Sequence, residues 1–522
     1  MRYDHIIIGA GSAGAILATR LSEDPNKSVL LLEAGPDHEN IESLPEEVKY
    51  GYASTKSIWT SDYNWQYRAR ATDVAEIDIP RGKITGGSSA INGQIFLRGL
   101  PEDYDNWSEW GNNLWDFEQL LPYFNKIETD VTYEDNPGDF HGSTGPIICH
   151  RFPEEEWQAG SRAFVDACLD AGFPFCEDAN APDTIGVGPI PLNNPGGIRW
   201  STSIGYLGLS RHRLNLTIRS NVTVKNILFD TSSDTPHAKG VCAVSDGEEF
   251  IVEGDEVILS AGAIASPQIL MLSGIGPADH LEEHGINVLV DSPGVGQNLR
   301  DHPLLGILWA TKPEVELDPI GPRLQVLLRY TADGSVIDND MIVYLSHAAS
   351  ARRDDQSGDV IHPVGINAGL GLNLAFSKGE VRLNSADYRE HPYLDYNLLA
   401  EDEDIRRYRD GVRLLVTLEN HPAMENLVQD RVYPLDTDLI SDEALDAWIR
   451  KSVQTGHHVS CTAKMGPRSD EMAVVDQFGK VYGVNNLRVA DASIMPECVR
   501  ANINATVMVI GERIASFILE GN

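Results

Sequence analysis

Residues 3–35 read YDHIIIGAGSAGAILATRLSEDPNKSVLLLEAG, and this stretch decides the fold. Tyr3 to Ile8 is a short apolar run suited to a buried parallel strand. Gly9-Ala10-Gly11-Ser12-Ala13-Gly14 follows at once, and Ala15 to Leu21 then has helix-forming composition. Ser28 to Leu32 is a second apolar strand that ends in Glu33. Gly9 permits the tight turn, Gly11 lets backbone amides approach a pyrophosphate, and Gly14 lets the helix pack closely on the strand. The helix N-terminus adds partial positive charge. Glu33 stands nineteen residues beyond Gly14, where a carboxylate accepts hydrogen bonds from a ribose. An acid there disfavours a 2′-phosphate but leaves NAD and FAD both open.

The full chain has 522 residues, with 41 Lys+Arg against 78 Asp+Glu and a formal net charge of −37. Such acidity argues against nucleic acid as a partner, because phosphate binding needs clustered Lys and Arg. It equally disfavours anionic membrane surfaces. A hydrophobic content of 42% is ample for a large core spread over more than one domain. No uninterrupted apolar run of roughly 18 residues occurs, so no membrane span is expected. Arg2 followed by Ile6 to Ala18 mimics a secretory leader, but Asp4, His5 and the fixed glycine spacing speak against one. The six cysteines, Cys149, Cys168, Cys176, Cys242, Cys461 and Cys498, form no C-x-x-C pair. That argues against a zinc site or a disulfide framework, and fits a reducing cytoplasm with no metal centre.

Three further groups carry chemistry. Arg81-Gly82-Lys83-Ile84-Thr85-Gly86-Gly87-Ser88-Ser89-Ala90-Ile91-Asn92-Gly93 is a second small-residue loop. Gly262-Ala263-Ile264-Ala265-Ser266-Pro267 and Ser273-Gly274-Ile275-Gly276 lie mid-chain. The last group runs from His457-His458 through Thr462-Ala463-Lys464-Met465-Gly466 and Asp491-Ala492 to Asn502-Ile503-Asn504 and Gly511-Glu512-Arg513. Together with the first turn, they resemble the glucose–methanol–choline (GMC) flavoprotein oxidoreductase family, in the family's order and over nearly the whole chain.

The resemblance implies an α/β fold: a Rossmann-like FAD-binding domain and a second, substrate domain built on an antiparallel sheet. FAD contacts are then expected from Gly9, Gly11, Ser12, Ala13, Gly14, Glu33 and Ala34. Further contacts are expected from Arg81, Gly86, Gly87, Ser88, Asn92, Gly93, Val224, Ala261, Asp491, Ala492, Asn502 and Ile503. Some relatives have a histidine bonded covalently to flavin where this chain has Ile91, so non-covalent FAD is expected. Thr85 stands where the family usually has a bulky apolar residue. Motif placement assigns 1–150, 205–310 and 468–522 to the FAD domain, and 151–204 and 311–467 to the substrate domain. Leu370, Leu372, Leu374 and Phe376 alternate with smaller or polar residues, as do Val381 and Leu383, and Met341 to Leu345 is a short apolar run; all read as strands. Ala351 to Asp359 reads as a loop beside the site.

Alcohol oxidation by a flavin moves a hydride to flavin N5 and needs a side chain to take the hydroxyl proton. Histidine suits that task. By family position the base is His458, eight residues before Gly466, and its partner is Asn502, ten before Glu512. Asn504 reads as support for flavin or backbone, and His457 as a pocket-lining alternative, since neighbours on an extended segment point opposite ways. Cys461 reads as packing. The expected activity is oxidation of a primary alcohol, aromatic, furanic or similar, to the aldehyde, with dioxygen or a quinone-type acceptor reoxidising the flavin. Choline-type and sugar alcohols are the alternatives within the family. Trp65, Tyr67, Trp309 and Tyr344 are candidates for the aromatic cage that a quaternary ammonium requires. The other classes are a cyanohydrin lyase with structural flavin, a nicotinamide-dependent dehydrogenase and a non-catalytic binding protein. Oligomeric state is open.

Overall fold

The computed structural model describes residues 2–51, 57–318, 321–350 and 364–522. The expected loop at Ala351 to Asp359 lies outside them. Five strands run parallel in the spatial order Leu216–Arg219, Val29–Leu32, Arg2–Ile8, Glu248–Leu259 and Leu487–Val489. Val29–Leu32 is buried along its whole length, as expected of a strand covered on both faces. The first half of Glu248–Leu259 carries an antiparallel arm, His237–Ser245 and then Thr223–Asp230.

The glycine turn leads into the helix Ser12–Leu21. A Cβ added at Gly14 would lie 1.9 Å from the Gly9 carbonyl oxygen, so turn and helix touch with no room for a side chain. The C-terminal helix Asn504–Leu519 packs beside it, where a Cβ at Gly511 would lie 3.1 Å from Ala13 Cα. First and last helices thus meet at the same end of the parallel sheet.

The second large sheet is antiparallel, in the order Val428–Tyr433, Pro303–Thr311, Val364–Leu372, Met341–Ser350, Leu324–Tyr330 and Gly186–Pro189. The helices Ala159–Asp170, Asp402–Leu418 and Asp442–Ser452 pack against it. A smaller sheet joins Glu380–Arg382, Tyr393–Asp395, Tyr67–Arg70 and Glu76–Ile79. This is the expected α/β class, a Rossmann-like domain with a second antiparallel one.

Two details differ from the sequence reading. Leu374 and Phe376 lie beyond the strand that ends at Leu372, and Leu374 turns the chain with φ 49°. Pro303–Thr311 falls in the stretch read as nucleotide-binding, yet it pairs inside the antiparallel sheet. The motifs mark closeness to the nucleotide turn, not sheet membership, so they cannot fix that boundary. Among the described residues no helix is long and apolar enough to cross a membrane.

Candidate active site

A cavity of about 930 Å3 runs from the glycine turn to the face of the antiparallel sheet. Gly9, Gly11, Ser12, Ala13, Glu33, Ala34, Arg81, Gly87, Ser88, Asn92, Gly93, Val224, Ala261, Asp491, Ala492, Asn502 and Ile503 line it, together with His458. Gly14 and Gly86 do not. Gly14 is spent on the turn–helix contact above. Gly86, with φ 98°, donates its amide to the Ala10 carbonyl at 2.7 Å and so ties the second glycine loop to the first.

Several side chains at the nucleotide end are committed internally. Glu33 accepts from the amides of Ala10 and Gly35, each at 2.9 Å. Burial pushes its carboxyl up to about 7, against the pull of the Gly35, Ala10 and Ala34 amides. Asp491 accepts from Gly262 N (2.9 Å), Ser266 Oγ (2.6 Å), Ser493 N (2.8 Å) and Ser493 Oγ (2.6 Å). Its carboxylate therefore caps two helical segments. Ser12 Oγ donates to Asn504 Oδ1 at 2.8 Å, pinning two helix N-termini together.

The residues present fit a dinucleotide. A Cβ built at Gly11 meets only Gly87 Cα, at 3.9 Å, and one at Gly93 or Gly262 meets nothing within 4 Å. Open space therefore lies in front of the turn. The helix starts at Ser12 and at Asn504 have no side-chain cap, so their amides and dipoles favour an anion there. Arg81 donates Nη1 to the His457 carbonyl at 2.8 Å, while its buried Nε and Nη2 have no hydrogen-bond partner among the described residues.

His458 sits at the other end. Asn502 Nδ2 donates to His458 Nε2 at 3.0 Å, and the Tyr344 hydroxyl donates to Asn502 Oδ1 at 2.9 Å, which sets the amide orientation. His458 Nε2 is thus the unprotonated nitrogen. Its Nδ1 carries the hydrogen and donates to His302 Nδ1 at 2.9 Å. Burial holds the His458 pKa well below the ordinary 6.5, with His302, His457 and Arg81 adding to the effect. Asp301 accepts from His302 N (2.8 Å), His458 N (2.7 Å) and the Thr455 hydroxyl, and so locks the two histidine segments together. Burial lifts the Asp301 carboxyl to about 6 despite those donors. His457, with φ 68°, also lines the cavity and meets Trp59, another lining residue, edge-on at 5.6 Å.

His302, Asp301 and Thr455 were not legible as site residues, because Asp-His-Pro ahead of a strand belongs to no periodic pattern. Trp65, Tyr67 and Tyr344 line the cavity, but Trp309 does not: it is buried and donates its indole N–H to Glu419 at 2.7 Å. Cys461 is fully buried off the cavity, and burial raises its thiol pKa.

A Rossmann-type nucleotide cradle thus opens onto a histidine–asparagine pair, the layout of a nucleotide-dependent oxidoreductase. Models of the GMC oxidoreductase family match residues 3–304 and 375–511. The chain belongs to that family and is an FAD-dependent enzyme acting on CH–OH donors. It is 34% identical to an oxygen-dependent choline dehydrogenase of Photobacterium profundum, over 99% of this chain and 93% of that one. An oxygen-dependent choline dehydrogenase of Burkholderia cenocepacia is 38% identical over 98% and 93%. Pyridoxine 4-oxidase from Mesorbium loti superposes with a TM-score of 0.88 at 29% identity, over 99% of each chain.

Proposed function

We propose that the protein oxidises a small primary alcohol to its aldehyde, with His458 as the base and Asn502 as the group that orients the hydroxyl. The observation that carries this is the 3.0 Å pairing of Asn502 Nδ2 with an unprotonated His458 Nε2 inside the cavity that begins at the glycine turn. FAD, when bound, supplies the hydride acceptor. A hydroxyl lodged against both side chains accepts from Asn502 Nδ2 and gives its proton to His458 Nε2. His302 holds the hydrogen on Nδ1, so Nε2 is the unprotonated nitrogen, and a bound hydroxyl takes over the contact that Asn502 makes with it. Thr455 and Asp301 keep the two histidines in register, and Tyr344 keeps Asn502 from rotating. The segments 1–150, 205–302 and 468–522 form the FAD-binding part in this reading, and the rest supplies the substrate side.

Ile91 lines the cavity in place of an attachment residue, which supports non-covalent FAD. Six free, buried cysteines fit a cytoplasmic location. For the substrate, the curated relatives favour a choline-type alcohol, and Trp59, Trp65, Tyr67 and Tyr344 supply aromatic faces in the cavity wall. However, the Trp65 ring already carries the Lys83 ammonium, 4.8 Å from its centroid. An uncharged alcohol is the second reading. It is favoured by Tyr344, Ser346 and Asn367, the neutral polar residues of the antiparallel sheet that face the cavity with part of their surface open.

The test is anaerobic mixing of the FAD-loaded protein with choline and with benzylic, furanic and sugar alcohols, following the yellow band of oxidised flavin. Bleaching by one class supports the reading and names the substrate. A band that no alcohol bleaches counts against it. Admitting air then separates dioxygen from another acceptor.

A further inference from the structure

The floor of the cavity bears a polar pair that the histidine–asparagine chemistry does not use. Ser346 and Asn367 are cross-strand partners on Met341–Ser350 and Val364–Leu372, so their side chains stand side by side on one face. Both line the cavity and are partly open to it, and neither side chain makes a hydrogen bond among the described residues. The Asn367 amide lies over a glycine: a Cβ at Gly306 would come within 3.0 Å of Asn367 Oδ1. The backbone has thus been cleared to make room for the amide. Tyr344, which holds Asn502, is two residues from Ser346 on the same face, a step of roughly 6.6 Å along the strand.

We infer that Ser346 and Asn367 form a second anchor that hydrogen-bonds an uncharged polar group on the substrate, away from the hydroxyl held by His458 and Asn502. Together the pair offers a hydroxyl and an amide, both donors and both acceptors, and so matches an alcohol or ether oxygen better than a cation or a carboxylate. The pair therefore selects alcohols that carry a second, uncharged polar group remote from the reacting carbon. The trimethylammonium of choline neither donates nor accepts a hydrogen bond, and so offers the pair nothing. This inference rests on the alcohol-oxidation reading above. It adds which alcohols the site takes.

The test compares matched pairs on the FAD-loaded enzyme: 1-pentanol with 1,5-pentanediol, and benzyl alcohol with 1,4-benzenedimethanol. The readouts are kcat/KM and the anaerobic bleaching rate. The kcat/KM of each diol should exceed its partner's about 10- to 100-fold, because the mono-alcohol leaves the polar pair unmatched. In a Ser346→Ala/Asn367→Leu protein the ratio of diol to mono-alcohol kcat/KM should fall to about one, with the flavin content unchanged. Ser346→Thr, which keeps the hydroxyl, should retain most of the diol's advantage. Equal rates for diol and mono-alcohol in the unaltered protein would overturn the anchor alone, leaving alcohol oxidation in place. An advantage that persists in the double variant, or choline outrunning both diols, would overturn it too. If no alcohol bleaches the flavin, the anchor and the alcohol reading fall together.

Discussion

His458 works through the form that burial imposes on it. A histidine in water is half-protonated near pH 6.5, and a protonated ring cannot accept an alcohol's proton. Burial, together with His302, His457 and Arg81, drives this one well below that value, so at neutral pH the ring is neutral and Nε2 carries no proton. The sign follows directly: base activity persists as pH falls through the ordinary histidine range and fails only below it. The acid limb of kcat/KM should therefore lie clearly below pH 6.5, and a limb centred at about 6.5 would refute the burial argument. His458→Ala should lower turnover roughly 10²- to 10⁴-fold while the protein stays yellow, as read by stopped-flow bleaching. Near-normal turnover in that variant would remove His458 from the role. The sequence made this pair legible through the signatures that flank it, Thr462 to Gly466 on one side and Gly511 to Arg513 on the other. It gave no sign of His302, which lies 156 residues from His458 and reaches it only through the fold.

Among the elements, the strand–turn–helix at the N-terminus separates two kinds of glycine that look alike in sequence. Gly14 is closed in, since a Cβ there would lie 1.9 Å from the Gly9 oxygen. Gly11 faces open space, and its φ of −77° suits any residue. The two should fail differently. Gly11→Val should leave the melting temperature of the FAD-free protein nearly unchanged and abolish flavin uptake, measured as the yellow absorbance band after adding FAD. Gly14→Val should lower the melting temperature with or without FAD. A Gly11→Val protein that takes up flavin fully would mean that the open space is not the cradle. Element identity was easy to read here because one short stretch carries strand, turn and helix signals in order. The antiparallel sheet was harder. Leu374 and Phe376 keep the two-residue alternation past the end of their strand, since an apolar residue in a turn looks the same as one in a strand.

The whole molecule is closed by buried ionic contacts between distant parts of the chain. Glu512 is fully buried and meets Arg20 Nη2 at 2.8 Å, Lys126 Nζ at 2.8 Å and the Tyr206 hydroxyl at 2.8 Å. The Gly-Glu-Arg signature that marks the family thus fastens the last helix to the first, a role its sequence position does not reveal. A second network joins Glu128, Asp130 and Asp178 to Arg98, Arg151 and His141. His141 Nε2 lies 2.9 Å from Asp178, and Arg98 and Arg151 lie within 2.6 Å of Glu128 and Asp130. Glu128, Asp130 and His141 would also suit a metal ion by geometry, but Arg98 and Arg151 already pair with Glu128 and Asp130. Three carboxylates balance three bases only if His141 is protonated. Burial opposes that charge, yet Asp178 and Glu128 outweigh it and raise His141 to about 9. A pKa raised above the unfolded value gives stability that is complete below about pH 6.5 and lost as pH rises through 9. The melting temperature should therefore fall between about pH 7 and pH 10. His141→Leu should lose about 3–5 kcal/mol at pH 6, because it leaves three carboxylates, two of them fully buried, facing only two guanidiniums. Its melting curve should then approach the unaltered protein's as pH nears 10. Two curves that stay parallel across that range would show that His141 is not the charged member of the network.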